Sequence, residues 1–524
     1  MKLKSFLCYL FLLLICSCTS VQKYNAQIDQ EISVDKLKKD VNFVQKKLKR
    51  YHPKLDWYIP KHEIDFKFDS FKKSINKAQK PNDFYVQLSS IFRSLGHGHT
   101  DLYPLFKKLD NKQKKRYKES KSAFYNYGFL VENDSIFLVK DYSKENQIKS
   151  GSKLLYVDSL STSQILNKYK KTIYGDGYNK TFENNLFNRS FLNFVTLEEN
   201  VKDSVLLTFQ ENGKLVTKKS FRIYPSPKPK VVEAKKDTVT KVSKVIERQV
   251  KLKQKRYGYN KTTRKYSKEL LFPNNDSTVA LLKVNDFRKG KTKELYKSVF
   301  SDIKKHKVKN LVIDLRDNGG GYVNDAHYLY SYLVKDSKQF IGDKIVASKT
   351  SFGQSILKFS PKISYPVLWL VSLYTTLVTT QNDQNEYELH VPFSRVKIEE
   401  DLVYNGNLYV IINGGSYSAS SLISTNLQAN KRAFFVGEET GGDYNGTVAG
   451  LMPKFKLPNS KLTMSVGTVY LSPLEIRQEI GRGIFPNKEI KQTLKSKIKN
   501  QDVELIWILN DIKQNNSAYK MVLD

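Results

Sequence analysis

The sequence predicts an α/β core preceded by a helical segment and a β-rich segment, and three observations carry that reading. Apolar runs rich in β-branched residues, VALLKVNDF at 279–287, NLVID at 310–314, 408–412 and 433–437, alternate with helical spacing at 292–305 and 419–427, as parallel strands joined by helices do. Two of those runs end in glycine turns, DNGGG at 317–321 and GG at 414–415, and the carboxyl ends of parallel strands are where functional loops gather. The residues before 227 lack this alternation, being helical up to about 95 and then β-textured. At 524 residues, two or three domains are expected.

The N-terminus reads as an export signal. Lys2 and Lys4 precede an apolar stretch at 5–15 that is too short to span a bilayer. All three cysteines, Cys8, Cys16 and Cys18, lie in this leader, so the rest of the chain can form neither a disulfide nor a cysteine metal site. Residues 15–18, Ile-Cys-Ser-Cys, resemble a bacterial lipoprotein box with Cys18 as the acylated residue; Cys16 fits worse behind the bulky Ile15. An ordinary cleaved leader is the alternative. Residues 1–17 are read as the signal peptide and 18–33 as a polar tether. The expected location is the periplasmic or outer surface of a bacterial envelope, with the membrane engaged through the lipid anchor.

Residues 34–120 read as a helical domain. Leu37, Val41, Val44 and Leu48 share one helical face, and 65–76 and 81–95 follow as further helices, the last stopped by Gly96. The domain carries GHGHT, with His97 and His99 around a glycine. A metal would need more ligands than this pair, and the remaining histidines show no ligand spacing, so neither metal nor cofactor is expected. A structural histidine and a catalytic base both remain open.

Residues 121–226 form the β module, with hairpins across Asn133–Asp134 and Asn212–Gly213. Between them, IKSGSKLLYVDSLS resembles the loop and strand of PDZ-like modules, with Ser152 where aspartate is usual. Residues 228–268 hold 15 Lys or Arg against 3 Asp or Glu with no clear period, and 227–268 is read as an exposed basic insertion. The core spans 269–500, interrupted by a 336–400 insertion whose apolar part, 363–380, is read as a packed cap over the site. A terminal helix occupies 501–524. The formal charge of +36 comes from lysines spread along the chain, and no nucleic-acid-reading motif is present, so no nucleic-acid partner is expected.

Ser418 sits where the 408–412 strand turns through glycines into a helix. Its hydroxyl would stand above the turn, beside the free N–H groups of the helix's first residues, led by Ala419. A serine at that position also serves simply as a helix cap, and both readings stand on this stretch alone.

Taken in order, GHGHT, DLRDNGGG, GGSYSAS with GEETGG, and GRGIFPNKEI resemble the tail-specific, C-terminal-processing serine protease family over residues 36–490. The resemblance implies a crotonase-like core of the ClpP/crotonase superfold. It also implies a polypeptide substrate. The serine–lysine dyad of bacterial members is absent, because Asp443 stands where their lysine falls. The tricorn-core-like branch uses histidine instead, and its block matches 96–100. That resemblance implies Ser418 as nucleophile and His99 as base. It implies Glu479 as the carboxylate orienting His99, with Glu475 in reserve, and oxyanion donors from Ala419 and from Gly319 or Gly320. The competing class is a catalytically inactive relative that keeps the cleft as a peptide-binding scaffold.

Overall fold

Near-continuous apolar runs are tolerated only in strands covered on both faces, and four of them lie side by side here. Strands Val279–Val284, Asn310–Asp314, Asn407–Ile412 and Phe434–Gly437 are parallel neighbours. Lys488–Glu489 extends the sheet in parallel at one edge, and Lys268–Leu271 closes the other edge antiparallel. Ala280, Leu282, Leu311, Ile313, Val410 and Phe435 pack with helices Thr292–Lys305, Val323–Ser331 and Ala419–Ala429. The alternate residues Leu281, Val312, Tyr409 and Ile411 meet Ile508 of helix Val503–Lys513 on the opposite face. The computed structural model describes residues 20–520 apart from 144, 146, 226–240, 262, 274–276, 336–338, 392–395, 397 and 516–517. The expected signal peptide, residues 1–17, and the expected lipidation site Cys18 therefore lie outside the described residues.

Helices Val34–Tyr51, Lys61–Ser74 and Pro81–Leu95 form the N-terminal layer, and Leu37, Val41, Val44 and Leu48 are all buried on the expected face. Gly96 ends the last helix in the left-handed region, φ 68°. The β module is an antiparallel sheet in the order Tyr127–Glu132, Ser135–Asp141, Lys153–Val157, Ser204–Glu211, Lys214–Phe221. Both hairpin turns have positive φ, 48° and 52° at Asn133 and Asp134, 49° and 81° at Asn212 and Gly213.

Three segments differ from expectation. The β-textured span also contains helices Thr162–Tyr169 and Lys180–Glu199, the second capped by the Asn179 side chain, which accepts from the Phe182 N–H at 2.9 Å. The basic insertion contains helix Lys241–Arg256, and its last residue, Lys268, is fully buried. Lys268 belongs to the core sheet because its ammonium is satisfied inside, donating to Asp325 Oδ2 and to the Lys289 carbonyl, each at 2.9 Å. The 336–400 insertion is not a packed cap. Its helices Ser351–Phe359 and Tyr365–Leu377 form a hairpin in which Phe352 of the first packs against the core while most large apolar side chains of the second are in solvent.

One more pairing positions the site. Leu102–Tyr103, just after His99, pairs antiparallel with Thr463–Ser465 of the core, and Asp101 and Ser465 exchange both backbone hydrogen bonds. Phe455, Leu457, Leu462, Met464 and Val466 join the hydrophobic core of the N-terminal helices and β module. The histidine turn is thereby tied to the antiparallel pair Lys454–Lys456 and Thr463–Ser465, more than three hundred residues away in the chain.

Candidate active site

Ser418 is held in a strained turn between strand Asn407–Ile412 and helix Ala419–Ala429. Its backbone has φ 60° and ψ −122°, a conformation that costs a non-glycine residue about 1–3 kcal/mol. The side chain makes no capping hydrogen bond, so the cap role does not account for a serine in this position. The turn is over-determined by its neighbours. Asn413 Oδ1 accepts from the N–H groups of Asp317 and Gly415, Ser416 Oγ donates to the Leu315 carbonyl, and the Tyr417 N–H donates to the Asn318 carbonyl.

The glycine loop presses directly on this turn. A Cβ on Gly320 would lie 2.7 Å from Ser418 Cβ and 2.9 Å from the Ala419 nitrogen, so only glycine admits the approach. The two candidate glycine donors are not equivalent. The Gly320 N–H donates to Asn318 Oδ1 at 2.9 Å, whereas Gly319 is exposed and has open space where a Cβ would be. Ala419, as the first helical residue, has no intrahelical acceptor for its N–H. The Asn318 side chain, fully buried, also donates to the Val284 carbonyl at 2.8 Å and so fixes the loop to the neighbouring strand. Arg316 pairs with Asp314 and with Asp502, tying the same loop to the terminal helix.

His99 arrives from the N-terminal domain and packs its ring on Tyr417, 4.8 Å between centroids. Its Nε2 is buried without a hydrogen-bond partner. Burial, with the Arg288 guanidinium nearby, lowers its pKa to about 4, so the imidazole is neutral at neutral pH. Ser418 and His99 are thus one residue apart through Tyr417, and no hydrogen bond joins them in this resting arrangement. His97 packs elsewhere, its ring tilted against those of His52 and Tyr58 at centroid distances of 4.1 and 4.9 Å. Burial lowers its pKa to about 3, which suits a structural role.

The loop 174–181, read only as β texture in the sequence, joins the pieces. Asp176 Oδ1 accepts the Gly98 N–H at 2.9 Å, and its Oδ2 accepts from Thr447 Oγ1 at 3.1 Å. The Gly177 N–H donates to the Gly96 carbonyl, the Tyr178 N–H to the Gly481 carbonyl, and Asn179 Nδ2 to the Thr440 carbonyl. Burial pushes the Asp176 carboxyl up to about 7 against the opposing Gly98 N–H, and the Asp443 carboxylate adds to the rise. Asp443 accepts from Tyr58 Oη at 3.0 Å and from the Gly481 N–H at 2.7 Å. A local signal existed, an aspartate between two glycines in YGDGYN, but nothing local says which turn it grips.

Glu479 is not brought to His99. Its carboxylate is 59% exposed and lies 3.7 Å from Arg477, while only its backbone carbonyl is held, by Asn445 Nδ2. Glu475 is exposed as well. Besides Asp443, the region has a buried carboxylate in Glu439, which pairs with Arg482 and accepts the Gly483 N–H at 2.8 Å. Among the described residues no cluster of three or more His, Cys, Asp or Glu could hold a metal.

The family model described as Peptidase family S41 matches residues 278–489. A curated relative, the carboxy-terminal-processing protease of Bartonella bacilliformis, is 26% identical over 209 residues, which cover 40% of this chain and 37% of the relative. The match thus spans little more than a third of that relative's length. Among solved structures, mature CPAF superposes with a TM-score of 0.58 at 14% identity, covering 92% of this chain and 98% of that one. CPAF complexed with lactacystin gives 0.57 at 14% identity, with 93% and 99% covered. These structural likenesses show a shared mixed α/β fold. The family description and the relative's name indicate a serine-type peptidase hydrolase.

Proposed function

We propose, from a core that Peptidase family S41 matches, that the chain is an exported serine endopeptidase cutting polypeptides near their C-termini or in unfolded stretches. Ser418 is the nucleophile. The observation that carries this reading is the strained backbone of Ser418, without a cap bond and with Gly320 against it. Strain at a strand-to-helix turn persists where the surroundings impose it, and it presents a hydroxyl beside unpaired N–H groups.

In the proposed reaction neutral His99 takes the proton from Ser418 Oγ as Oγ bonds to the scissile carbonyl carbon. The carbonyl electrons move onto oxygen, which the Ala419 and Gly319 N–H groups receive. The C–N bond then breaks as His99 returns the proton to the leaving amine, and water repeats the sequence on the acyl-serine. Glu479 would orient His99 only after the exposed loop around 474–479 closes and Arg477 releases the carboxylate. The core is crotonase-like in this reading, and the 121–226 module, PDZ-like, helps hold the polypeptide. The mature chain begins at an acylated Cys18 on the periplasmic or outer-surface side of a bacterial envelope.

Fluorophosphonate labelling tests the central claim. Wild type should label at Ser418 and hydrolyse an unfolded peptide, and Ser418→Ala should lose both, hydrolysis falling by roughly 10⁴-fold or more. Full-strength folding without any labelling of wild type would instead indicate a peptide-binding scaffold.

A further inference from the structure

Helix Tyr365–Leu377 holds thirteen residues, YPVLWLVSLYTTL, without a charge, and Thr375 alone among them is buried. Val367, Trp369, Leu370, Val371, Leu373, Tyr374 and Leu377 are exposed, and Ile363 in the preceding turn is 91% exposed. At 3.6 residues per turn those seven side chains cover an arc of about 200°. A surface helix ordinarily turns such a face to a core, and an exposed apolar patch of this kind marks a partner or a membrane.

The charges around the hairpin decide which. Lys358 and Lys362 are exposed on either side of its turn. At its base, Arg50 donates twice to Gln354 Oε1, at 3.1 and 2.8 Å. Burial, with Arg50, Lys358 and Lys46 close by, lowers the pKa of Lys47. Among the described residues none of Lys47, Arg50, Lys358 and Lys362 has a carboxylate partner, on a chain of formal charge +36. A second copy docking by two-fold symmetry would set this cationic rim against itself. An anionic lipid surface accepts both features at once, the apolar arc among acyl chains and the rim among headgroups.

Thirteen residues span about 20 Å as a helix, short of the ~30 Å hydrocarbon core. No helix among the described residues is long and apolar enough to cross a membrane. Lying flat, a helix sinks about 5–10 Å, with Trp369 and Tyr374 suited to the headgroup boundary. We propose that the 351–377 hairpin is an interfacial docking element that seats the enzyme's body on an anionic bilayer, separately from acylation at Cys18.

Trp369 provides a local probe, because Trp57 and Trp507 pack on Tyr470 and Phe434. The full chain is mixed with phosphatidylcholine–phosphatidylglycerol vesicles carrying brominated acyl chains, and tryptophan fluorescence is followed. Quenching is expected in wild type and largely absent in Trp369→Phe. Leu370→Asp with Leu373→Asp should weaken hairpin insertion roughly tenfold or more, with an unchanged melting temperature. Lys358→Glu with Lys362→Glu should weaken it most at low salt. The proposal is overturned if wild type is not quenched, or if quenching persists in Trp369→Phe, which places the lipid contact elsewhere. It is equally overturned if the vesicle-free chain sediments as a dimer in which Trp369 is shielded from iodide, which assigns the face to a second copy.

Discussion

The ring of His99 rests on the ring of Tyr417, 4.8 Å between centroids, so the proposed base leans on the residue immediately before the proposed nucleophile. Gly98 makes that approach possible: a Cβ there would stand 2.5 Å from Tyr417 Oη and 3.1 Å from the Gly175 carbonyl carbon. Gly98→Ala should push the histidine turn away from Ser418 while leaving the hydrophobic cores untouched. A misplacement of about 1 Å costs roughly 10²-fold in rate, so kcat should fall by that order with KM little changed. Steady-state kinetics beside a melting curve would check it, and an unchanged kcat would show that the turn has slack.

Asp176 makes the stability of the protein depend on pH in a specific direction. Its folded pKa, about 7, lies above the ordinary value of 3.8, so between those limits the folded chain holds a proton that the unfolded chain has lost. The contribution is fully present below pH 3.8 and disappears as pH rises through 7; the displacement corresponds to roughly 4 kcal/mol. Asp176→Asn keeps an oxygen for the Gly98 N–H but cannot ionise. Its melting temperature relative to wild type should therefore rise between pH 5 and pH 8. A difference that does not vary with pH would mean that the carboxyl titrates normally.

Glu479 lies beside Arg477 in the resting arrangement, and the role proposed for it requires closure of its loop. A carboxylate that reaches the imidazolium raises the histidine pKa above the resting value of about 4. Glu479→Gln should therefore move the acid limb of kcat, which reports the closed complex, to lower pH and cut kcat by roughly 10²- to 10⁴-fold. If both the limb and kcat stay at wild-type values, Glu479 is only a surface partner of Arg477.

What could be read in the sequence was whatever is encoded locally. The buried strands announce themselves as continuous apolar runs, the hairpins by Asn133–Asp134 and Asn212–Gly213, and the serine turn by the glycines before it. Helix Lys180–Glu199 has helical spacing too, with Phe187, Phe191, Phe194 and Val195 buried, but it lies between hairpins and was absorbed into their texture. The apolar part of the 336–400 insertion, 363–380, predicts a packed cap, yet helix Tyr365–Leu377 leaves most of that surface exposed, because apolarity alone does not say what covers it. Asp176 was invisible for a different reason: its meaning lies in Gly98 and Thr447, far away in the chain, and no local pattern records such a contact.

Asn318 offers the most direct access to the oxyanion geometry without touching a proposed reacting group. Its side chain is fully buried, receives the Gly320 N–H at 2.9 Å and donates to the Val284 carbonyl at 2.8 Å, while its own carbonyl accepts from Tyr417. Asn318→Ala leaves a buried donor and a buried acceptor unpaired, at a cost of about 1–3 kcal/mol for each. The glycine loop then loses the bond that fixes its height above Ser418, so the Gly319 and Ala419 N–H groups no longer converge on one point. Losing one oxyanion donor typically lowers kcat by about 10²–10³-fold, and a loss in that range with labelling slowed in parallel is expected. Asn318→Asp is the companion variant, since it retains the acceptor for Gly320 but places a carboxylate against the Val284 carbonyl. It should melt earlier than Asn318→Ala, yet keep more of its activity per folded molecule. Equal residual activity in the two variants would show that the Gly320 bond does not set the oxyanion geometry.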